Sequence, residues 1–155
     1  MIDNCKTLQE KHPKCVACHS EKEMVVKEKG KRYVLKNPNR KKVCRVRVDN
    51  CLIVSQSEKK CDFLILTCDP DSPKDIYLIE LKGSSLIEAI EQLNKTIEYF
   101  KPYISGRVFA RIVVSKAPSP ELRSPKLLKL KKLLRDQYGG GLAYGTREYS
   151  KDILE

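Results

Sequence analysis

Apolar and polar positions along the chain change rhythm several times, and each rhythm predicts an element. Residues 1 to 20 read as a short polar helix leading into the cysteine pair of HPKCVACH. MVVKEKGKRYVLK alternates on both sides of Lys29-Gly30, which predicts a hairpin turning at that pair. NPNRKK is a basic loop, and VCRVRVDNCLIV is strand-rich, with Asp49-Asn50 placed where a tight turn fits. Two apolar runs follow in KKCDFLILTCDPDSPKDIYLIELKG, residues 59–83, separated by the turn cluster DPDSP. After Gly83 the period lengthens. Leu86, Ala89, Ile90, Leu93, Ile97 and Phe100 recur at three and four, an amphipathic helix opened by the capping box Ser85-Leu86-Ile87-Glu88. RVFARIVV is a further strand and APSPELRSP a loop. PKLLKLKKLLRDQY is a second helix with a leucine face and a Lys/Arg face, stopped by Gly139-Gly140-Gly141, and LAYGTREY is a last strand. The order predicts an α/β fold, a mixed central β-sheet flanked by helices.

At 155 residues the chain is sized for one compact domain. Within it, residues 1–43 read as an N-terminal helix and hairpin extension carrying the CxxC pair, and residues 44–155 as the core. Charge changes the picture more than size does. Lys and Arg number 31 against 20 Asp and Glu, a formal +11, and a small basic domain of this kind usually meets phosphate. No apolar run approaches the ~18 residues of a membrane span, and MIDNCKTLQEKHPK lacks the apolar centre of a leader. A soluble cytoplasmic protein with no membrane partner is expected. Seven cysteines is an odd number, and reduced thiols are the default under that expectation. Cys44, Cys51, Cys61 and Cys68 stand in apolar runs, where cysteine acts as a small hydrophobe.

Charged residues inside the two apolar runs raise the chemical question. Asp62 heads one, and Glu80 and Lys82 close the other. A charge buried there costs several kcal/mol unless it is paired or bound to a metal. An antiparallel hairpin around DPDSP has position 71 at its centre, midway between 62 and 80. Asp62 and Glu80 then face each other on one side of the sheet, and Lys82, two residues on, shares that side. Two opposed buried carboxylates repel, and a divalent cation removes the conflict. Oxygen ligands suit Mg²⁺ (or Mn²⁺), which bridges to phosphates and activates water for attack on phosphorus.

The segment CDFLIL…YLIELKG resembles the core motif of the PD-(D/E)xK nuclease superfamily, in which a strand hairpin is followed by a helix. The likeness covers roughly residues 44 to 115. It implies a restriction-endonuclease-like fold and a metal-dependent DNA nuclease, of endonuclease type, hydrolysing phosphodiester bonds through a metal-activated water. Asp62 and Glu80 match the metal-binding acids, the Leu81 backbone carbonyl completes the metal site, and Lys82 matches the catalytic lysine. Cys61 stands where the family's loosely kept proline is expected. Gln92 matches a glutamine that some members send from the following helix. Many members add an acid from an N-terminal helix, for which Glu10, Glu21 and Glu23 are candidates. Asp49 is a further candidate, although it also fits a plain turn residue.

Substrate contacts are read from the basic clusters. Arg40, Lys41 and Lys42 form one, Arg45 and Arg47 alternate along the next strand, and Lys126, Lys129, Lys132 and Arg135 lie near one side of the second helix. The expected partner is DNA, with RNA left open, and a homodimer suits the cutting of two strands. No helix-turn-helix or ribonucleoprotein signature suggests sequence-specific reading. Cys15-x-x-Cys18-His19 has the spacing of c-type haem attachment, which needs an export route. Half a Zn²⁺ site is an alternative, with Cys15 and Cys18 completed by His12, Cys5 or Cys44, and unligated cysteines in a surface turn are the preferred reading. Two other functional classes stay open: a non-catalytic nucleic-acid-binding module and a zinc-stabilised interaction protein.

Overall fold

The computed structural model describes residues 4–54, 60–81, 85–116 and 124–155. Its elements are α1 (Cys5–Lys11), β1 (Val16–His19), β2 (Glu23–Glu28), β3 (Lys31–Lys36), β4 (Val43–Arg47), β5 (Phe63–Cys68) and β6 (Pro73–Leu81). After these come α2 (Leu86–Phe100), a 3₁₀ turn (Lys101–Tyr103), β7 (Val108–Val114), α3 (Pro125–Tyr138), β8 (Gly141–Thr146) and β9 (Glu148–Ile153). Six strands form one sheet in the order β1-β4-β5-β6-β7-β8, antiparallel as far as β6 and parallel from there. The other three form a small mixed sheet, β2-β3-β9.

The central strands are apolar on both faces because both faces are covered. Leu64, Leu66 and Leu78 meet Leu8 of α1, Ile90 and Leu93 of α2, and Leu130 and Leu134 of α3. Phe63, Ile65, Tyr77 and Ile79 point the other way, against Met24, Val26, Tyr33 and Leu35 of the small sheet. The molecule is thus helices, large sheet and small sheet in three layers. No helix among the described residues is long and apolar enough to cross a membrane.

Local signals act where the residues require them. Lys29 (φ 49°) and Gly30 (φ 78°) both take left-handed backbone, the two-residue turn that matches hairpin twist. The Ser85 hydroxyl accepts the Glu88 N–H at 3.2 Å and caps α2, and the Ser124 hydroxyl does the same for Lys126 of α3. Gly139, at φ 62°, ends α3.

Three expectations need correction. The segment VCRVRVDNCLIV yields only β4. The tight turn expected at Asp49-Asn50 is present, with Asn50 at φ 61°, but no strand follows it, because Leu52 N–H turns back to the Arg47 carbonyl at 3.1 Å and Ile53 N–H to the Val48 carbonyl at 3.0 Å. The segment LAYGTREY is not one strand. Arg147 (φ 65°) breaks it, so that β8 stays in the large sheet while β9 crosses to pair in parallel with β3. β1 extends the large sheet beyond β4, and β2-β3 forms most of the small one.

The third correction concerns the thiols. Six cysteines are joined as Cys5–Cys68, Cys15–Cys51 and Cys18–Cys44, and Cys61 alone is a free, buried thiol. The topology brings them together, since Cys18 and Cys44 are direct partners across the β1–β4 ladder. Cys15 and Cys18 therefore bond to different partners.

Candidate functional site

The β5–β6 ladder runs from Leu66↔Ile76 to Phe63↔Ile79, a register that continues to Asp62 opposite Glu80. Glu80 alternates with Ile76 and Leu78, and Asp62 with Leu64 and Leu66, so both carboxylates belong to the helical face. Glu80 is 1% exposed and Asp62 half-buried. Beyond Phe63 the side chains take over from the backbone ladder. The Asp62 N–H donates to Glu80 Oε1 at 3.0 Å, and the Leu81 N–H donates to Asp62 Oδ2 at 2.9 Å. Each carboxylate is thereby tied to the opposite strand, which fixes the pair without burying an unsatisfied charge.

Helix α2 closes one side. Thr96 Oγ1 accepts the Cys61 N–H at 2.8 Å and donates to the Gln92 carbonyl at 2.8 Å, locking the residue before Asp62 onto the helix. One turn earlier, the side-chain Oε1 of Gln92 is enclosed and has no hydrogen-bond partner among the described residues. Buried polar atoms are rarely left so, which singles this oxygen out among the described residues. Cys61 stands between strand and helix, its Sγ–H 3.4 Å from the Phe63 carbonyl. Burial, and next the negative charge of Glu80, push its thiol well above the ordinary range.

The sequence reading did not single out Thr96 or Lys60, and both belong to this corner. Lys60 is 4% exposed, with its amine 6.0 Å from the centre of the Tyr99 ring. The Asp49 carboxylate reaches the Lys60 N–H at 3.4 Å, so Asp49 stands two residues from Asp62 along that strand while serving its turn. The run KKCD was the available signal for Lys60, and a threonine at helical spacing from Gln92 gave none.

Other candidates are dispersed. Lys82 lies outside the described residues. The Leu81 side chain points into the core beneath the small sheet, on the face opposite the acids. Glu21 and Glu23 follow β1 at the Thr67 end of the sheet, because His19 pairs with Val43 while Val16 pairs with Val46 nearer Asp62. Glu10 is an exposed residue of α1.

The basic clusters separate by face. Arg45 and Arg47 lie over β2, with an Arg45 guanidinium nitrogen 3.4 Å from the Val25 carbonyl and Arg47 3.6 Å from the Glu28 carboxylate. The α3 cluster lies on the opposite, helical face. There Lys126 pairs with Glu91 and Arg135 with Asp136, each at 2.9 Å, and Lys129 and Lys132 are exposed. Arg40 is exposed in the loop before β4, in left-handed backbone at φ 50°. Lys41 and Lys42 line a cleft with Lys74, Arg107 and Lys151, at the end of the large sheet away from Asp62 and Glu80. Lys42 is also paired with Asp71 at 2.6 Å.

No protein-family model matches the chain, and neither the curated proteins nor the solved structures contain a match to it.

Proposed function

We propose that this protein is a metal-dependent nuclease acting on DNA phosphodiester bonds. The observation that carries the reading is the pair Asp62 and Glu80, opposed at the end of a buried hairpin, with α2, which carries Gln92, tied to the neighbouring Cys61 through Thr96. Support comes also from the antiparallel β4-β5-β6 meander followed by α2 and a parallel β7, which suits a restriction-endonuclease-like core, and from the formal +11.

The donor set is made of hard oxygens, two carboxylates and an amide, which fits Mg²⁺ or Mn²⁺ rather than a thiophilic ion. Asp62 and Glu80 would hold the ion, with the Leu81 carbonyl as a further ligand by the family resemblance. When bound, such an ion lowers the pKa of water and offsets charge developing on phosphorus. The chain's residues do the rest. The two cross-strand hydrogen bonds hold the carboxylates in one geometry, so little ordering is left for substrate binding. Gln92 offers its amide to a water or phosphate oxygen. Lys82, by the family resemblance, would orient the attacking water or stabilise the charged transition state.

One observation favours a second reading. Both carboxylates already accept backbone N–H bonds, so the pair could serve only to end the hairpin, leaving a non-catalytic nucleic-acid-binding module. The two readings part in a cleavage assay on linear, circular, single-stranded and branched DNA with Mg²⁺ or Mn²⁺. The nuclease reading expects wild type to cut, and Glu80→Gln and Lys82→Ala to bind DNA without cutting it. Wild-type protein that binds all four substrates and cuts none with either ion overturns it in favour of the binding module.

A further inference from the structure

Two of the three disulfides touch. Cys44 Sγ lies 3.8 Å from Cys68 Sγ, so Cys18–Cys44 and Cys5–Cys68 form one continuous group of four sulfurs. The sulfurs of Cys5, Cys44 and Cys68 all lie within 4.8 Å of one another, and those three residues are buried. Cys18 is half-buried, with its sulfur 3.9 Å from the Cys5 carbonyl. The third disulfide, Cys15–Cys51, is separate from this group.

We infer that in the reduced protein Cys5, Cys18, Cys44 and Cys68 form a structural tetrathiolate site for a single Zn²⁺ ion. A zinc–sulfur bond of about 2.3 Å places neighbouring sulfurs of a tetrahedron about 3.8 Å apart. The non-bonded contact between Cys44 and Cys68 already has that spacing, and after loss of the two S–S bonds Cys5 opens from Cys68 while Cys18 swings in from Cys44 to complete the set. A multi-iron cluster would hold its thiolates farther apart than this group does. Each ligand comes from a different element (α1, β1, β4 and β5), leaving no open position of the kind a catalytic zinc keeps. The ion would hold α1 and β1 to the sheet by the same four residues that the disulfides use.

The exchange balances. The two disulfides take up four electrons and four protons from two molecules of a dithiol reductant, which leave as disulfides, and zinc then displaces the four thiol protons. The site is independent of the nuclease reading, because it uses none of Asp62, Glu80 or Gln92.

The test uses the full chain, reduced with a phosphine under anaerobic conditions, given one equivalent of Zn²⁺ or Co²⁺ and desalted. One ion retained per chain is expected, with four fewer reactive thiols than in the reduced metal-free protein. The cobalt form should show intense visible bands and thiolate charge transfer, reporting a four-sulfur tetrahedron in the wild type without recourse to a variant. Cys44→Ser should abolish retention, Cys51→Ser should leave it intact, and the oxidised protein should retain none. Loss of the ion on desalting, a weak oxygen-ligand cobalt spectrum, or equal retention by Cys44→Ser would each overturn the inference.

Discussion

Replacing Asp152 by alanine should destabilise the protein more than any ordinary surface change. Arg111 of β7 is inserted between the sheets, its side chain 9% exposed against 13% for Asp152. Its Nε and Nη2 donate to the two Asp152 oxygens at 2.7 and 3.1 Å, and Nη1 donates to the Ala110 and Gly141 carbonyls, both at 2.9 Å. The rings of Phe109, Tyr149 and Tyr77 surround the guanidinium at 5.3, 5.7 and 6.0 Å. Tyr33, fully buried, donates its hydroxyl to the same carboxylate at 2.7 Å. Burial, and next the Asp152 charge, hold that phenol far above its ordinary range, so it remains a donor. Removing one partner of a buried pair costs about 3–5 kcal/mol, and orphaning a buried hydroxyl adds about 1–3. With partial overlap, Asp152→Ala should cost ~4–6 kcal/mol, a fall in Tm of roughly 10–20 °C. Asp152→Asn keeps an acceptor for Tyr33 and should fall between. The double variant Arg111→Met/Asp152→Leu removes both charges and should recover to within about 2 kcal/mol of wild type. Urea unfolding followed by circular dichroism measures all four. An Asp152→Ala cost below about 1 kcal/mol, or a double variant worse than either single, would refute the reasoning.

Three further outcomes are expected. Cys61 stays protonated in the folded protein, while an unfolded thiol ionises near pH 8.5, so stability should fall as pH rises from about 8 to 10. Urea midpoints of Cys61→Ala should decline less over that range, and parallel curves would count against the raised thiol. The Cys15–Cys51 bond closes a separation of 36 residues, so Cys15→Ser/Cys51→Ser should lose about 3–4 kcal/mol under oxidising conditions. A loss below about 1 kcal/mol in the same unfolding assay would contradict it. On the nucleic-acid reading, Lys129→Ala and Lys132→Ala should each lower the salt slope of DNA binding by ~1. Lys126→Ala and Arg135→Ala, already paired with Glu91 and Asp136, should lower it less, and anisotropy titrations across salt concentrations would show the reverse if α3 faces away from DNA.

The β5–β6 register was legible because the turn cluster and two runs apolar on both faces leave a single alignment, and Asp62 then meets Glu80 without further information. Ser85 and Glu88 likewise carry their cap in four adjacent residues. What was not legible depends on distant partners. Nothing near Arg147 says that the chain will leave one sheet there and join another through Arg32 and Leu35. The disulfides had the same character: Cys18 finds Cys44 only because β1 lies against β4, a pairing absent from any local pattern. The basic clusters were each legible as substrate contacts, but not their faces: strand alternation sent Arg45 and Arg47 to one while α3 took its lysines to the other.

The parallel pairing of β9 with β3 also sets an order of assembly. Arg32 and Glu148 are 116 positions apart, and their contact closes the small sheet. On the ribosome, the β2-β3 hairpin emerges 116 positions ahead of its third strand and waits for it. Arg111 emerges 41 residues before the carboxylate that neutralises it, so a nascent chain must keep that guanidinium hydrated until Asp152 clears the exit tunnel. Contacts of such high order are slow to form, so the layer beneath β3 should be the last part of the molecule to become resistant to proteolysis during translation.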